Sequence, residues 1–414
     1  MNCRHCHNKL THRFVDLGTQ PASNNYLSEA QIKEKIEVPQ YPLVTYVCQH
    51  CWLVQTQDFA APSTFFSADY AYFSSTSKGW LAHAKAFSEK IIEQLELDSR
   101  SFVVEVAAND GYLLKNFVQE NIPCLGIEPT LSTAEAAKKL AIPVVTEFFG
   151  LSLAKRLVKE HSQADLIVCN NVLAHVPDIN DFTAGLSSLL APKGTLTIEF
   201  PHLLNLIKFN QFDTIYHEHF SYFSLYSAIQ VLKASGLKVY DVQELNTHGG
   251  SLRLLACHDY AEFDISNRVK ALLKQEQQFG LQELAVYSQF QQRIESIKLE
   301  LVQFLVEQKQ LGKKVVAYGA AAKGNTLLNF SGVSTELLPC VYDAAPSKQG
   351  KYMPGSKIPI LPPEQMDFSD IDFVLILPWN IKEEVIKQLE GQAALSTNFV
   401  VCIPEFQIVN RSHD

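Results

Sequence analysis

No apolar run in the chain reaches the roughly 18 residues needed to cross a bilayer, and Met1-Asn2-Cys3-Arg4 lacks the apolar core of a secretion signal. The expected setting is therefore the cytoplasm, with no membrane as a partner. Positive charge is scarce. Against 44 Asp and Glu stand only 35 Lys and Arg, a net charge of −9, which argues against nucleic acid as a partner. Tandem repeats and low-complexity linkers are missing, so nothing points to a repeat architecture. Nine cysteines among 414 residues are too sparse for a disulfide framework. Five of them (Cys124, Cys169, Cys257, Cys340 and Cys402) lie in or beside apolar, strand-like runs, where Cys behaves as a small hydrophobe. What remains is a globular chain, 47% hydrophobic, long enough for two or three domains with cores of their own.

The other four cysteines form two C-x2-C knuckles, Cys3-Arg4-His5-Cys6 and Cys48-Gln49-His50-Cys51, separated by a hairpin-rich segment. Two such pairs supply four thiolates for one tetrahedral Zn²⁺, each pair gripping adjacent corners. A redox C-x-x-C needs one pair, usually on a strand-to-helix turn, and neither pair has that setting. Four sulfur ligands leave no open coordination position, so the zinc expected at Cys3, Cys6, Cys48 and Cys51 is structural. With Glu29, Glu34, Glu37 and Asp58 nearby, the module is too acidic for a ribbon that binds nucleic acid.

The densest run of reactive side chains is Tyr216-His217-Glu218-His219. Imidazole titrates near working pH and carboxylates tune it, so two imidazoles, a carboxylate and a phenol make a proton-transfer apparatus. Its flanks are apolar and aromatic (Phe212, Ile215, Phe220, Tyr222, Phe223), which places the polar groups on a pocket wall and makes the segment the expected catalytic one.

From Phe102 the pattern alternates between strand and helix. Phe102–Ala107 reads as a buried strand, followed by the turn Ala108-Asn109-Asp110-Gly111 and an amphipathic helix from Tyr112 to about Gln119. Cys124–Glu128 is a second strand, ending on Glu128 at the carboxyl edge, where open α/β sheets bind ligands and an acid accepts from ribose hydroxyls. Strands at Pro143–Phe148, Asp165–Asn170 and Gly194–Phe200 continue the rhythm, five in all, as in a doubly wound sheet. The triple-glycine dinucleotide spacing is absent.

Glu105-Val106-Ala107-Ala108-Asn109-Asp110-Gly111, Gly126-Ile127-Glu128-Pro129 and Asn170-Asn171-Val172-Leu173-Ala174-His175-Val176 together resemble class I S-adenosylmethionine methyltransferases. More narrowly, the order of zinc knuckles, this core, Tyr216-His217-Glu218-His219, His248-Gly249-Gly250-Ser251-Leu252-Arg253 and Gly319-Ala320-Ala321-Ala322-Lys323-Gly324 resembles the C-methyltransferases of nucleotide-linked 4-keto-6-deoxyhexoses, across essentially the full chain. The resemblance implies an α/β protein of three parts: a zinc-binding domain (1–75), a Rossmann-like class I methyltransferase core (76–260) and a Rossmann-like C-terminal domain (261–414). S-adenosylmethionine would then lie against Glu105, Asn109, Asp110 and Gly111, with Glu128 on the ribose and Asn170 and Asn171 bordering the sulfonium. His219 would be the general base, with Tyr216, Glu218, His175 and Tyr70 lining the sugar site. Tyr72 is an alternative to Tyr70, because alternate residues of an extended segment face opposite ways. Methylating a carbon beside a ketone needs a base for its proton and donors for the enolate oxygen; Tyr216 or His175 would be such a donor.

The C-terminal third reads as helices from about Glu262 to Gln310, then the strand Lys313–Gly319 and a helix whose first amides can cradle a diphosphate. Cys340–Asp343 ends on an acid at the spacing where Rossmann-like units meet a ribose, and further strands fall at Phe373–Leu377 and Phe399–Ile403. The resemblance makes this surface, with Lys323 and Asp343, the site of the sugar's nucleotide; His248 and Arg253 are further substrate contacts, and His202 a lesser candidate. Two other readings are open: a nicotinamide-linked oxidoreductase using the Gly319 turn, which leaves the His-Glu-His run without a task, and a non-catalytic zinc-ribbon adaptor, which makes that run gratuitous.

Overall fold

The computed structural model describes residues 1–59, 73–391 and 397–409. An antiparallel meander opens the chain, from β1 (His12–Pro21), β2 (Gln40–Val47) and β3 (Val54–Thr56). Cys3 and Cys6 precede β1, and Cys48 and Cys51 occupy the β2–β3 turn.

The second sheet starts with five parallel strands, β4 (Val103–Val106), β5 (Cys124–Ile127), β6 (Val144–Val145), β7 (Ala164–Asn170) and β8 (Leu190–Pro201), joined by crossover helices. Strands covered by helices on both faces are largely apolar, and their alternation sorts the side chains. Val104, Val106, Ile167, Cys169 and Ile198 pack into one core, while Val103, Leu166 and Val168 pack into another on the opposite face. The expected strand at residues 143–148 shortens to the pair Val144–Val145 because it is the sheet edge, paired only with Gly126 and Ile127.

Three more strands follow, β9 (Ser221–Tyr222), β10 (Leu237–Leu245) and β11 (Ser251–His258). Beyond the five expected strands, β10 and β11 form a hairpin, and β11 runs antiparallel to β8, giving the order β10-β11-β8-β7-β4-β5-β6. This inserted antiparallel strand separates the sheet from the all-parallel dinucleotide-binding order. The short β9 leaves the sheet altogether. It pairs with β3 as the fourth strand of the first sheet, setting Val54 opposite Tyr222 and Gln55 opposite Ser221.

The third sheet holds β12 (Val315–Tyr318), β13 (Val341–Tyr342), β14 (Ile360–Leu361), β15 (Phe373–Ile376), β16 (Asn398–Val401) and β17 (Gln407–Val409), in the order β14-β13-β12-β15-β16-β17. One face packs through Val316, Val374, Ile376 and Val401. The other, with Val315, Ala317, Leu375 and Val400, shares a core with Phe14, Leu43 and Val54 of the first sheet and with Phe212, Ile215 and Tyr222. The first sheet also packs on the second, through Cys48 and Leu53 against Val104 and Ile198, and the Phe220 N–H donates to the Ala174 carbonyl just past β7 (2.7 Å), so the segment around Tyr216 is clamped where the three sheets meet. No helix among the described residues is long and apolar enough to cross a membrane.

Candidate active site

The sulfurs of Cys3, Cys6, Cys48 and Cys51 lie within 4.8 Å of one another, with Cys3–Cys51 at 3.6 Å and Cys6–Cys48 at 3.5 Å. Corners of a tetrahedron with Zn–S of about 2.3 Å stand about 3.8 Å apart, so the set fits a zinc ion. Both knuckles use the same turn: His7 and Trp52 each take a φ of 58°, and their N–H groups donate to the Cys3 and Cys48 carbonyls (3.0 and 2.8 Å). Gln55 donates to Cys3 Sγ (3.2 Å) and accepts from the Arg4 N–H (2.9 Å). Arg4 then reaches the Pro177 carbonyl (2.9 Å), and His5 pairs with Asn180 (2.9 Å), seating the module on the second sheet's loops.

From that platform β3 holds the reactive segment. Thr56 donates through its hydroxyl to the His219 carbonyl (2.9 Å) and through its N–H to the Phe220 carbonyl (3.1 Å). His219 Nδ1–H donates to the Thr214 carbonyl (3.0 Å). A carbonyl only accepts, so in the neutral ring Nε2 carries the lone pair. Burial holds the imidazole well below its ordinary pKa, and His175, His248 and Lys323 add to this by disfavouring another positive charge. Tyr216 tilts over the ring with centroids 4.0 Å apart, and His175 meets it edge-on at 4.6 Å. His175 is itself lowered to about 4 by burial, and its Nδ1–H donates to the Glu218 carbonyl (2.8 Å). In that tautomer Nε2 accepts, so neutral His175 cannot be the enolate donor expected of it.

The segment's other two groups hydrogen-bond outside this ring stack. His217 Nε2 donates to the Tyr41 carbonyl (3.1 Å), towards the zinc module. Glu218 is buried, which pushes its carboxyl up to about 7, while the Asn24 amide pulls it down by donating to both oxygens (3.0 and 2.9 Å). Behind His219, Thr214, Ser221 and Tyr222 help line a cavity of about 20 Å³, room for about one water. Ser221 Oγ, buried and without a partner among the described residues, suits such a water.

The second and third sheets complete the pit. The Thr247–Gly249 turn presents His248 edge-on to Trp80 (5.1 Å); burial first and Lys323 second lower His248 to about 4. Lys323 lies over the Trp379 ring (4.6 Å) and donates to Asn380 Oδ1 (2.7 Å). Trp379 donates in turn to Asp213 Oδ2 (2.7 Å). Arg253 does not project into the pit as a free cation. Its guanidinium donates to buried Glu199 (2.6 Å) and lies on Phe87 (4.2 Å), while Glu199 also accepts from Thr247 (3.0 Å), so Arg253 supports the turn that carries His248. His202 is buried against Glu276 (2.7 Å). Asp343 accepts from the Ala320 and Ala345 N–H groups (2.7 Å each), tying the end of β13 to the turn after β12.

At the carboxyl edge of the second sheet, φ is positive at Ala107 (61°), Asn109 (49°) and Gly111 (78°). This alternation turns the Asn109 N–H onto Glu128 Oε2 (2.9 Å), while Thr130 N–H meets Oε1 (2.9 Å). Asp110 Oδ1, Asn170 Oδ1 and Asn171 Oδ1 are buried without partners among the described residues, so acceptors line this edge. Leu131, at the start of the helix after β5, and Phe148, just past β6, are 58% and 60% exposed. Glu105 is fully buried behind the loop, and burial, reinforced by Glu128 and Asp110, pushes its carboxyl well up. Tyr70 and Tyr72 lie outside the described residues. Sequence reading missed Asn24, Asp213, Trp379, Glu199 and His83, whose ring nitrogen meets the Glu199 carboxylate at 3.0 Å. Asn24 and Glu218 are 194 positions apart, and no local pattern announces such a pair.

A Rossmann-like sheet with this strand order, an acid-ended second strand and acceptors at its carboxyl edge defines an S-adenosylmethionine-dependent methyltransferase. Family models match along the chain: "Putative zinc binding domain" over residues 3–66, "Methyltransferase domain" over 80–242 and "C-methyltransferase C-terminal domain" over 246–404. The C-methyltransferase NovU of Streptomyces niveus is 32% identical over 408 residues, 99% of this chain and 96% of that protein, and the chain belongs to this C-methyltransferase family. Among solved structures, magnesium protoporphyrin IX methyltransferase of Synechocystis PCC 6803 with bound SAM is 14% identical, covering 43% of this chain and 81% of its own at a TM-score of 0.33. The PH0226 protein of Pyrococcus horikoshii OT3 is 12% identical, covering 49% and 100% at a TM-score of 0.36.

Proposed function

We propose that this enzyme methylates a ring carbon beside the 4-keto group of a nucleotide-linked deoxysugar, through an enolate, in the cytoplasm. The observation that carries the reading is His219: neutral, anchored through Nδ1–H to Thr214, with its Nε2 lone pair in a pit shared by all three sheets. His219 Nε2 takes the proton as the C–H electron pair moves towards the ketone oxygen. Bound S-adenosylmethionine supplies an electrophilic methyl group, whose bond to sulfur breaks as the new carbon–carbon bond forms. Ionised Glu218, steadied by Asn24, supports the resulting imidazolium, and Tyr216 covers the ring. On this reading residues 76–260 hold the cofactor through Asn109, Asp110, Gly111, Glu128, Asn170 and Asn171, with the adenine against Leu131 and Phe148 and Glu105 shaping the loop from behind. Residues 261–414 hold the nucleotide at the uncapped start of the helix Ala322–Ser331, where Asp343 shapes the turn.

Solvent exchange tests this directly. Incubated in heavy water with enzyme and S-adenosylhomocysteine, the 4-keto sugar is expected to exchange hydrogen at the carbon destined for methylation. His219→Gln should keep the fold and cofactor binding while losing exchange and methylation together, by about 10²–10⁴-fold. Near wild-type methylation by His219→Gln, with Glu218→Gln inactive, would make the carboxylate the base.

A further inference from the structure

We propose that Lys323, contributed by the C-terminal domain, is a catalytic residue whose ammonium stabilises the enolate oxygen opposite His219. This rests on the function proposed above and changes one part of it: the C-terminal domain completes the reaction site as well as holding the nucleotide.

Proton removal places negative charge on the ketone oxygen, and a site that stabilises it needs a preorganised donor or cation. Neither imidazole facing the other serves, because both His175 and His219 spend Nδ1–H on a backbone carbonyl and present Nε2 as an acceptor; the Tyr216 phenol beside them would add a neutral hydrogen bond without a compensating charge. Arg253 is committed to Glu199. Among the described residues Lys323 is the cation the geometry brings to this segment: it stands three residues before Thr326, which donates to the Ile215 carbonyl, and over Trp379, which donates to Asp213. Its charge disfavours the imidazolium forms of His219 and His248, while its own burial lowers its pKa against the pull of Asp213.

Its position is built rather than incidental. The aliphatic stem leaves a helix start pinned to the rest of the chain, where Thr326 donates to the Ile215 carbonyl (3.1 Å) and Asn325 to the Ser23 carbonyl (2.6 Å). The ammonium donates to Asn380 and lies on Trp379, and Trp379 is held by Asp213 three residues before Tyr216. Asp213 is buried and its other oxygen has no partner among the described residues; it is a counter-charge near the cation without being ion-paired to it. A tight ion pair would have neutralised Lys323, whereas a cation held by an amide, a ring face and a distant carboxylate keeps two donor directions for a substrate oxygen. Depressing the His219 imidazolium also keeps the base unprotonated.

The test compares Lys323→Met and Lys323→Arg in the full-length, zinc-loaded protein, with the 4-keto-6-deoxyglucoses of thymidine and uridine diphosphate as probes. Lys323→Met is expected to lower turnover and solvent exchange together by about 10²–10³-fold, the usual loss for one oxyanion donor. KM and the affinity for free nucleoside diphosphate should stay near wild type, and Lys323→Arg should recover part of the turnover. Wild-type turnover in Lys323→Met, with KM and diphosphate affinity impaired, would place the ammonium on the diphosphate and overturn the inference. Should Lys323→Met unfold, Asn380→Ala, which unseats the ammonium without deleting it, must lower turnover more than it raises KM; unchanged turnover there also overturns it. A wild-type enzyme that exchanges and methylates neither probe defeats the underlying reading and this inference with it.

Discussion

Glu218 titrates within the working range, because burial raises its carboxyl to about 7 while, among the described residues, Asn24 pulls it down. Raised above the ordinary value of about 4.3, the group favours the fold most when protonated. Its effect is neutral below about pH 4, stability falls as pH climbs towards 7, and the loss levels off above that at an order of about 3 kcal/mol. On the proposed mechanism catalysis runs the other way, since the ionised form would support the imidazolium. Turnover should therefore rise through pH 7 on one limb. Asn24→Ala removes the downward pull, so the limb should move to higher pH while S-adenosylhomocysteine affinity is unchanged. A pH–rate profile measures this, and an unmoved limb would assign it to another group.

Among the elements, the Thr247–Gly249 turn joins the second sheet to the third. Gly249 has φ 87°, and a Cβ there would sit 2.3 Å from a Trp379 ring carbon. Gly249→Ala must push the indole off Asp213, so a loss of about 1–3 kcal/mol from overpacking and impaired turnover are expected. Gly236, at φ 72° with open space around it, is the control: Gly236→Ala should cost only the left-handed strain, about 1–2 kcal/mol, and leave turnover alone. Thermal unfolding and steady-state rates separate the two. Equal turnover in both variants would mean that the Trp379 contact does not matter to the site. These elements also mark where sequence stopped being readable. The cysteine knuckles, the strands from Val103 to Pro201 and the His-Glu-His run were legible because each announces itself within a few residues, by spacing, period or composition. The two-residue β9 has no period of its own; it lies between strands of the second sheet in the chain, yet its partner β3 belongs to the first, more than 160 positions away. The strand β10 mixes Lys238, Asp241, Gln243 and Glu244 into its run, blurring alternation. Trp379 follows Pro378 and reads as loop; only the packing of two distant turns makes it a wall of the site.

For the molecule as a whole, the zinc module is a structural part of the active site. Its strand β3 pairs with β9, Thr56 holds the His219 carbonyl, and Gln55 links that strand to the metal cluster through Cys3 Sγ. In a module this small, metal-binding energy is folding energy, so the hydrogen bonds that aim His219 depend on an ion bound at the far end of the sheet. The cofactor edge depends on it less, since Asn109, Asp110, Glu128 and Asn170 stand on β4, β5 and β7 and their own loops. Removal of zinc by a chelator, followed by elemental analysis, should therefore abolish solvent exchange and methylation while S-adenosylhomocysteine still binds, and added zinc should restore activity. Full activity in protein shown to contain no zinc would mean that the sheet holds His219 without the metal. Loss of cofactor binding in step with activity would instead show that all three sheets are one cooperative unit, which two cores permit: one runs from Phe14 through Phe212 to Val400, and the other joins Cys3, Cys48 and Leu53 to Val104 and Ile198.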